Sequence, residues 1–148
     1  MRMACLAAVL MVWGMSGRAE AACTISTTAV SFGSYNVFNA SATTSTGTVT
    51  YHCGNSDHNI TITISTGSSG SFANRTMKKG AEALTYNLFM DAAFASVWGD
   101  GSGTTTTYHI NNPPNNTDVP LTVYGRVPAL QDVSAGSYSD TVIATVNF

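Results

Sequence analysis

The stretch Ala135-Gly-Ser-Tyr-Ser-Asp-Thr-Val-Ile-Ala-Thr-Val-Asn-Phe148 constrains the fold of this chain more than any other. Gly136 and Ser137 mark a turn, and from Tyr138 the side chains alternate. Tyr138, Val142, Ala144, Val146 and Phe148 share one parity, while Ser139, Ile143, Thr145 and Asn147 take the other. A strand sends alternate side chains to opposite faces, so the pattern predicts a half-buried strand with an apolar stripe. No polar tail follows it, and the strand is expected to end inside the core, tied into a sheet. The upstream sequence must then supply that sheet.

It does so repeatedly. Residues 59–65, Asn-Ile-Thr-Ile-Thr-Ile-Ser, place Ile60, Ile62 and Ile64 on one face and threonines on the other. Val49, Tyr51 and Cys53 alternate within residues 47–53, and Leu84, Tyr86, Leu88 and Met90 within residues 84–90. Val119, Leu121, Val123 and Val127 do the same in residues 119–127. Residues 24–32, with Ile25, Val30 and Phe32, read as a first strand, and residues 104–110 as a short one. Residues 36–46 and 111–116 read as loops, residues 71–80 as irregular, and residues 91–98 as the one place for a helical turn. Short strands, turn signals and no long amphipathic helix predict an all-β protein, an immunoglobulin-like antiparallel β-sandwich, with a closed barrel as the alternative.

Residues 1–21 predict an export signal in place of fold. Arg2 is followed by the apolar run Leu6–Trp13, short for a membrane span, and then by the small-x-small site Ala19-Glu20-Ala21. Glu20 stands where lipoprotein processing ahead of Cys23 requires a large aliphatic residue. The domain is therefore expected to be residues 22–148. The full chain's net charge of −2 and its sparse charges of both signs offer no basic stripe for nucleic acid. Cys5 leaves with the signal, and Cys23 and Cys53 remain. In an oxidising compartment these two are expected to form one intramolecular bridge, an intermolecular pairing being the alternative.

Several motifs occur in one order. Cys23 is followed by Ser31-Phe-Gly-Ser-Tyr35 and Gly47-Thr-Val-Thr-Tyr-His-Cys53. Arg75-Thr-Met77, Leu84-Thr-Tyr-Asn-Leu-Phe-Met-Asp91 and Trp98-Gly-Asp-Gly101 come next, then Val123-Tyr-Gly-Arg126 and the terminal stretch. In this order and spacing they resemble the spore coat protein U domain, a family that includes subunits of archaic chaperone–usher pili. The resemblance covers nearly all of residues 22–148. It implies a sandwich that lacks one strand, with a groove bounded by the strand of Val142, Ala144, Val146 and Phe148. It further implies a periplasmic chaperone and an outer-membrane usher as partners, neighbouring pilus or coat subunits that supply the missing strand, and a place at the cell surface in a fimbria, biofilm or spore coat. The family's disulfide has its counterpart in Cys23 and Cys53. One departure stands out: the expected cleavage leaves only Ala22 before Cys23, where polymerising subunits carry a donor segment. The chain is thus expected to accept a strand and not to give one.

Catalytic and metal readings are poorly supported. His52, His58 and His109 lack ligand spacing, the aspartates sit near turns where they cap backbone, and no G-x-S-x-G elbow occurs. No enzyme activity, metal or cofactor is expected. Asn39, Asn59, Asn74 and Asn115 match the glycosylation pattern as a chain rich in Asn, Ser and Thr would by chance. Trp98 beside Gly99-Asp-Gly101 is either a core aromatic or a sugar-binding shelf, and the shelf would suit the alternative function, a stand-alone lectin-like or adhesive module.

Overall fold

The computed structural model describes residues 23–55 and 57–148. The expected export signal lies outside the described residues. Among the described residues, eight strands occur in order: β1 (Thr24–Thr28), β2 (Thr43–His52), β3 (Ile60–Ile64), β4 (Arg75–Lys79), β5 (Glu82–Phe89), β6 (Tyr108–Ile110), β7 (Asp118–Val127) and β8 (Ala144–Asn147). They form two antiparallel sheets, one ordered β1-β2-β7-β5-β4 and the other β6-β3-β8. One hydrophobic cluster joins both, with Val49, Tyr51, Leu84, Leu88 and Val127 of the larger sheet against Ile60, Ile62 and Ile64 of the smaller. The expected all-β sandwich is present, and among the described residues neither sheet closes into a barrel.

β3 shows why the alternation is decisive. Ile60, Ile62 and Ile64 are fully buried while Thr61 and Thr63 are half exposed. Each buried isoleucine stabilises the sandwich by about 2 kcal/mol, so slipping the register by one residue would reverse all three. Trp98 packs behind them, 1% exposed, its Nε1 donating to the Ile62 carbonyl at 3.0 Å.

Several boundaries differ from the sequence expectations. β2 begins at Thr43, inside the expected loop, and pairs along its whole length with β7 from Thr43↔Val127 to His52↔Asp118. β1 ends at Thr28, so Val30 and Phe32 lie beyond it, although both still pack on the core. Residues 91–98 form no helix. Asp91 instead accepts the amides of Ala93, Ala95 and Ser96, and Phe94 is held at φ 57°. Residues 71–80, expected to be irregular, contain β4. That strand was obscured because its buried residue is a cation. Arg75 is fully buried, and its Nε donates to the Ser65 carbonyl at 3.0 Å while its two terminal nitrogens reach Asn87 Oδ1 and the Trp98 carbonyl, both at 2.7 Å. Burial pushes the guanidinium pKa below its ordinary value.

The largest correction concerns the terminal stretch. Only Ala144–Asn147 is strand, at the edge of the smaller sheet. Val142, Ala144 and Val146 are half-buried, and Phe148 is 62% exposed. The described chain ends at a surface and not in the core. Residues 138–143 instead cross between sheets: Ser139 exchanges two backbone hydrogen bonds with Lys78 of β4, and the Ile143 carbonyl accepts the Ser65 amide at 2.9 Å.

Candidate functional site

The two sheets are unequal, five strands facing three, so part of the larger sheet's inner face has no strand above it among the described residues. Two irregular segments border that uncovered area. The first lip, residues 29–37, continues from β1, and the second, residues 133–142, leads into β8. Between them lies an open cleft of about 1160 Å³ whose floor includes Leu84, Tyr86, Leu88, Val123 and Val127. These floor residues are at most 5% exposed, because the two lips, and not a paired strand, lie over them.

The backbone on one side of the cleft has a definite direction. The Ser65 amide donates to the Ile143 carbonyl, whereas the Ile64 amide donates away, to the Gly99 carbonyl. Neighbouring residues in an antiparallel pair point their N–H and C=O groups in opposite directions. Ile143, Thr145 and Asn147 therefore face β3, and Val142, Ala144 and Val146 turn their N–H and C=O groups the other way. On that side of β8 no strand among the described residues pairs with it, and β1 is the nearest element. Val142, Ala144 and Val146 also carry the side chains that pack on the core. Val142 and Ala144 thus line the cleft, and Val146 continues the same unpaired edge beyond it. Phe148 does not share that place.

Polar contacts fasten both lips. Tyr35 donates to the Pro128 carbonyl at 2.9 Å and accepts the Gln131 amide at 2.8 Å, closing one end of the cleft. The Gln131 side-chain amide accepts from the Thr85 N–H and donates to the Thr85 carbonyl, standing in for a neighbouring strand beside β5. On the second lip, Lys79 reaches Ser134 and the Ala135 carbonyl, and Tyr138 donates to Glu82 at 2.7 Å. Hydrogen bonds from Ser134 and Tyr138, with Lys79 adding its charge, hold the Glu82 carboxyl down at about 2. Asp140 accepts the Ser68 amide at 2.9 Å and the Tyr86 hydroxyl at 2.7 Å. Burial would raise the Asp140 pKa, but these hydrogen bonds outweigh it and lower it. The Tyr86 phenol is pushed up by burial first and by Asp140 second.

The remaining candidates fall into separate places. Cys23 and Cys53 are bonded, S–S 2.08 Å, tying the start of β1 to the end of β2. Asp57 is the one further acidic or imidazole group, among the described residues, grouped with these sulfurs. It accepts the Gly54 amide at 2.8 Å, and with the sulfurs bonded to each other no thiolate ligand remains there. His52 pairs with Asp118 at 2.8 Å and His109 with Thr61 and Asn111, so the histidines do not converge. The burial of Trp98 removes the sugar-binding shelf. The two lips, the Tyr35 clasp and the Gln131 amide have no periodic signature and were not readable from sequence as parts of one site.

Residues 13–145 match the spore coat protein U domain family. The chain belongs to that family. The family match begins within the expected export signal. Among curated proteins, Protein U of Myxococcus xanthus is 39% identical over 84 residues, a match covering 55% of this chain and 45% of that protein. The match thus spans less than half of that relative's length. Among solved structures, this family member resembles a chain of the chaperone–tip adhesion subunit pre-assembly complex from the archaic chaperone-usher Csu pili of Acinetobacter baumannii. The TM-score is 0.57 at 22% identity, over 85% of this chain and 39% of that one. At that identity the likeness shows the fold alone. No helix among the described residues is long and apolar enough to cross a membrane.

Proposed function

We propose that this protein is an exported structural subunit of a bacterial surface fibre or coat, and that it accepts a strand from a partner into the cleft. The observation that carries the reading is the orientation of Val142 and Ala144, which line the cleft, turn their main-chain groups away from β3 and pack their side chains on the core. A strand laid alongside them would gain a ladder of main-chain hydrogen bonds and bury alternate side chains against the floor, the physics of strand addition. An unpaired strand edge bordering an apolar cleft is an aggregation hazard, which gives a periplasmic chaperone its role before the neighbouring subunit's strand arrives. Export through the periplasm and an outer-membrane usher complete the route.

The same reading makes the chain an acceptor and not a donor. β1 follows Cys23 directly, and that cysteine is bonded to Cys53, so β1 is committed to its own sheet. Cleavage after Ala21 leaves Ala22 ahead of it.

The test is purification of the exported form without a chaperone, followed by titration with a peptide from a partner subunit's N-terminus. The peptide should raise stability in proportion to ln(1 + [L]/Kd), about 2.7 kcal/mol at a hundredfold excess over Kd. No stabilisation at any concentration would sink the acceptor reading. N-terminal sequencing of the exported protein, and the absence of detergent-resistant ladders made of it alone, test the non-donor half. A start well upstream of Cys23 together with such ladders would overturn that half.

A further inference from the structure

Gly47 and Gly125 occupy inward-facing, buried positions on neighbouring strands β2 and β7. Neither has a positive φ, so turn geometry does not explain them. Close approach does. A Cβ on Gly125 would lie 2.5 Å from Val30 Cγ1 and 2.7 and 2.9 Å from Phe32 ring carbons. On Gly47 it would lie 2.7 Å from the Thr28 carbonyl oxygen and 2.8 Å from Val30 Cγ2. The first lip thus rests on a bare patch of the larger sheet. From there the contacts continue across the floor. The Phe32 ring meets Tyr86 edge-on, centroids 6.0 Å apart, and the Tyr86 hydroxyl is bonded to Asp140 of the second lip.

We infer that Gly125, with Gly47 beside it, is a positioning residue for strand acceptance: its missing side chain lets Phe32 seat at a fixed depth, and the chain Gly125–Phe32–Tyr86–Asp140 sets the separation of the two lips. The inference rests on the strand-acceptor reading for its consequence, but the spacing itself is measurable without any ligand. The lips then act as a gauge for the incoming strand. A methyl group on Gly125 lifts Phe32, disturbs its contact with Tyr86 and alters the opening.

The two glycines differ in a way that sharpens the test. The three atoms nearest a Cβ on Gly125 all belong to side chains, so trimming Val30 and Phe32 makes room. At Gly47 the crowding includes the Thr28 carbonyl and the Val30 amide, which no side-chain change removes. Spin labels on Ser34→Cys and Ser137→Cys, one on each lip, report the separation by dipolar spectroscopy with the Cys23–Cys53 bridge kept oxidised. The expected result is a narrow distance in the natural background and a shifted, broader one in Gly125→Ala. Adding Val30→Ala and Phe32→Leu to Gly125→Ala restores it, whereas Val30→Ala does not rescue Gly47→Ala. Capture of a synthetic peptide alternating valine and threonine should weaken about tenfold or more in Gly125→Ala, the scale expected for one added methyl in a packed site, and should return with the rescue. An unchanged distance in Gly125→Ala overturns the inference, as does an unchanged distance in Phe32→Leu should Gly125→Ala not accumulate. If the natural protein captures no peptide, the acceptor reading falls, and the label distances still decide whether the seat sets the lips.

Discussion

Arg75 donates to the Trp98 carbonyl at 2.7 Å, and both residues are almost wholly removed from water. The same guanidinium reaches the Ser65 carbonyl at the end of β3 and Asn87 of β5. One side chain thereby joins the two sheets beside the cleft. It is satisfied by carbonyl oxygens and an amide, and the Phe72 ring lies 5.2 Å from its central carbon.

Replacing Arg75 should therefore cost more than a typical core change. Arg75→Met leaves the Ser65 and Trp98 carbonyls without this donor, an expected loss of about 2–4 kcal/mol. Arg75→Lys keeps the charge but cannot fork to several acceptors, and should be similarly destabilising. Denaturant midpoints measure both; a Lys variant equal to the natural protein would show that charge alone suffices.

The Cys23–Cys53 bridge closes a loop with a sequence separation of 30. Changing both cysteines to alanine should remove roughly 3–4 kcal/mol in the chain-entropy description. Yield should fall further than any binding does. Free thiols on both residues in periplasmic material, found by mass spectrometry, would contradict the pairing.

Charge in the terminal strand should be better tolerated than the strand's apolar pattern suggests. Val146 is half-buried on an edge strand, so a carboxylate there keeps contact with water, and Val146→Asp should cost about 1–3 kcal/mol. Ile62→Asp, at a fully buried position, should prevent accumulation altogether. Protease resistance and yield compare the two, and equal outcomes would place Val146 deeper than its exposure indicates.

Acid should loosen the second lip before the sandwich. Glu82 has its folded-state pKa lowered from 4.5 to about 2. A depressed carboxyl contributes stability that is present in full above its unfolded value and is lost as pH falls through the folded one. Amide protection over residues 134–138 should therefore decline between about pH 4.5 and 2, and Glu82→Gln should flatten that decline. A pH-independent natural profile would show that Glu82 does not fasten the lip.

The sequence announced strands where apolar residues alternate, and β3, β5 and β7 appear close to where the pattern put them. It failed where packing assigns inward positions to other residue types. β4 buries Arg75, and an apolar count passes over it. The first half of β2 points Ser45 and Gly47 inward, small because the first lip lies over that part of the sheet. Conversely, Val30 and Phe32 alternate yet lie beyond β1, and the run that reads as one strand from Tyr138 is interrupted by Asp140, so residues 138–143 only touch β4 through Ser139 before β8 begins. The cleft depends on what is missing between two distant segments, and local periodicity cannot register that.

Pro120 stands inside β7, opposite Thr50 of β2. The Trp98 amide bonds the Leu88 carbonyl, so Leu88 turns away from β7 while Asn87 and Phe89 face Arg126 and Tyr124 across the ladder. By alternation Pro120 and Thr122 look to that same side, beyond the reach of β5, where no strand among the described residues pairs. That flank is a second place where a stray strand could try to dock. Proline offers it no N–H, so the ladder breaks at its second rung. On the strand-acceptor proposal, the molecule must distinguish its proper vacancy from accidental ones, and Pro120 makes the accidental one a poor template, which would favour correct over incorrect subunit joining.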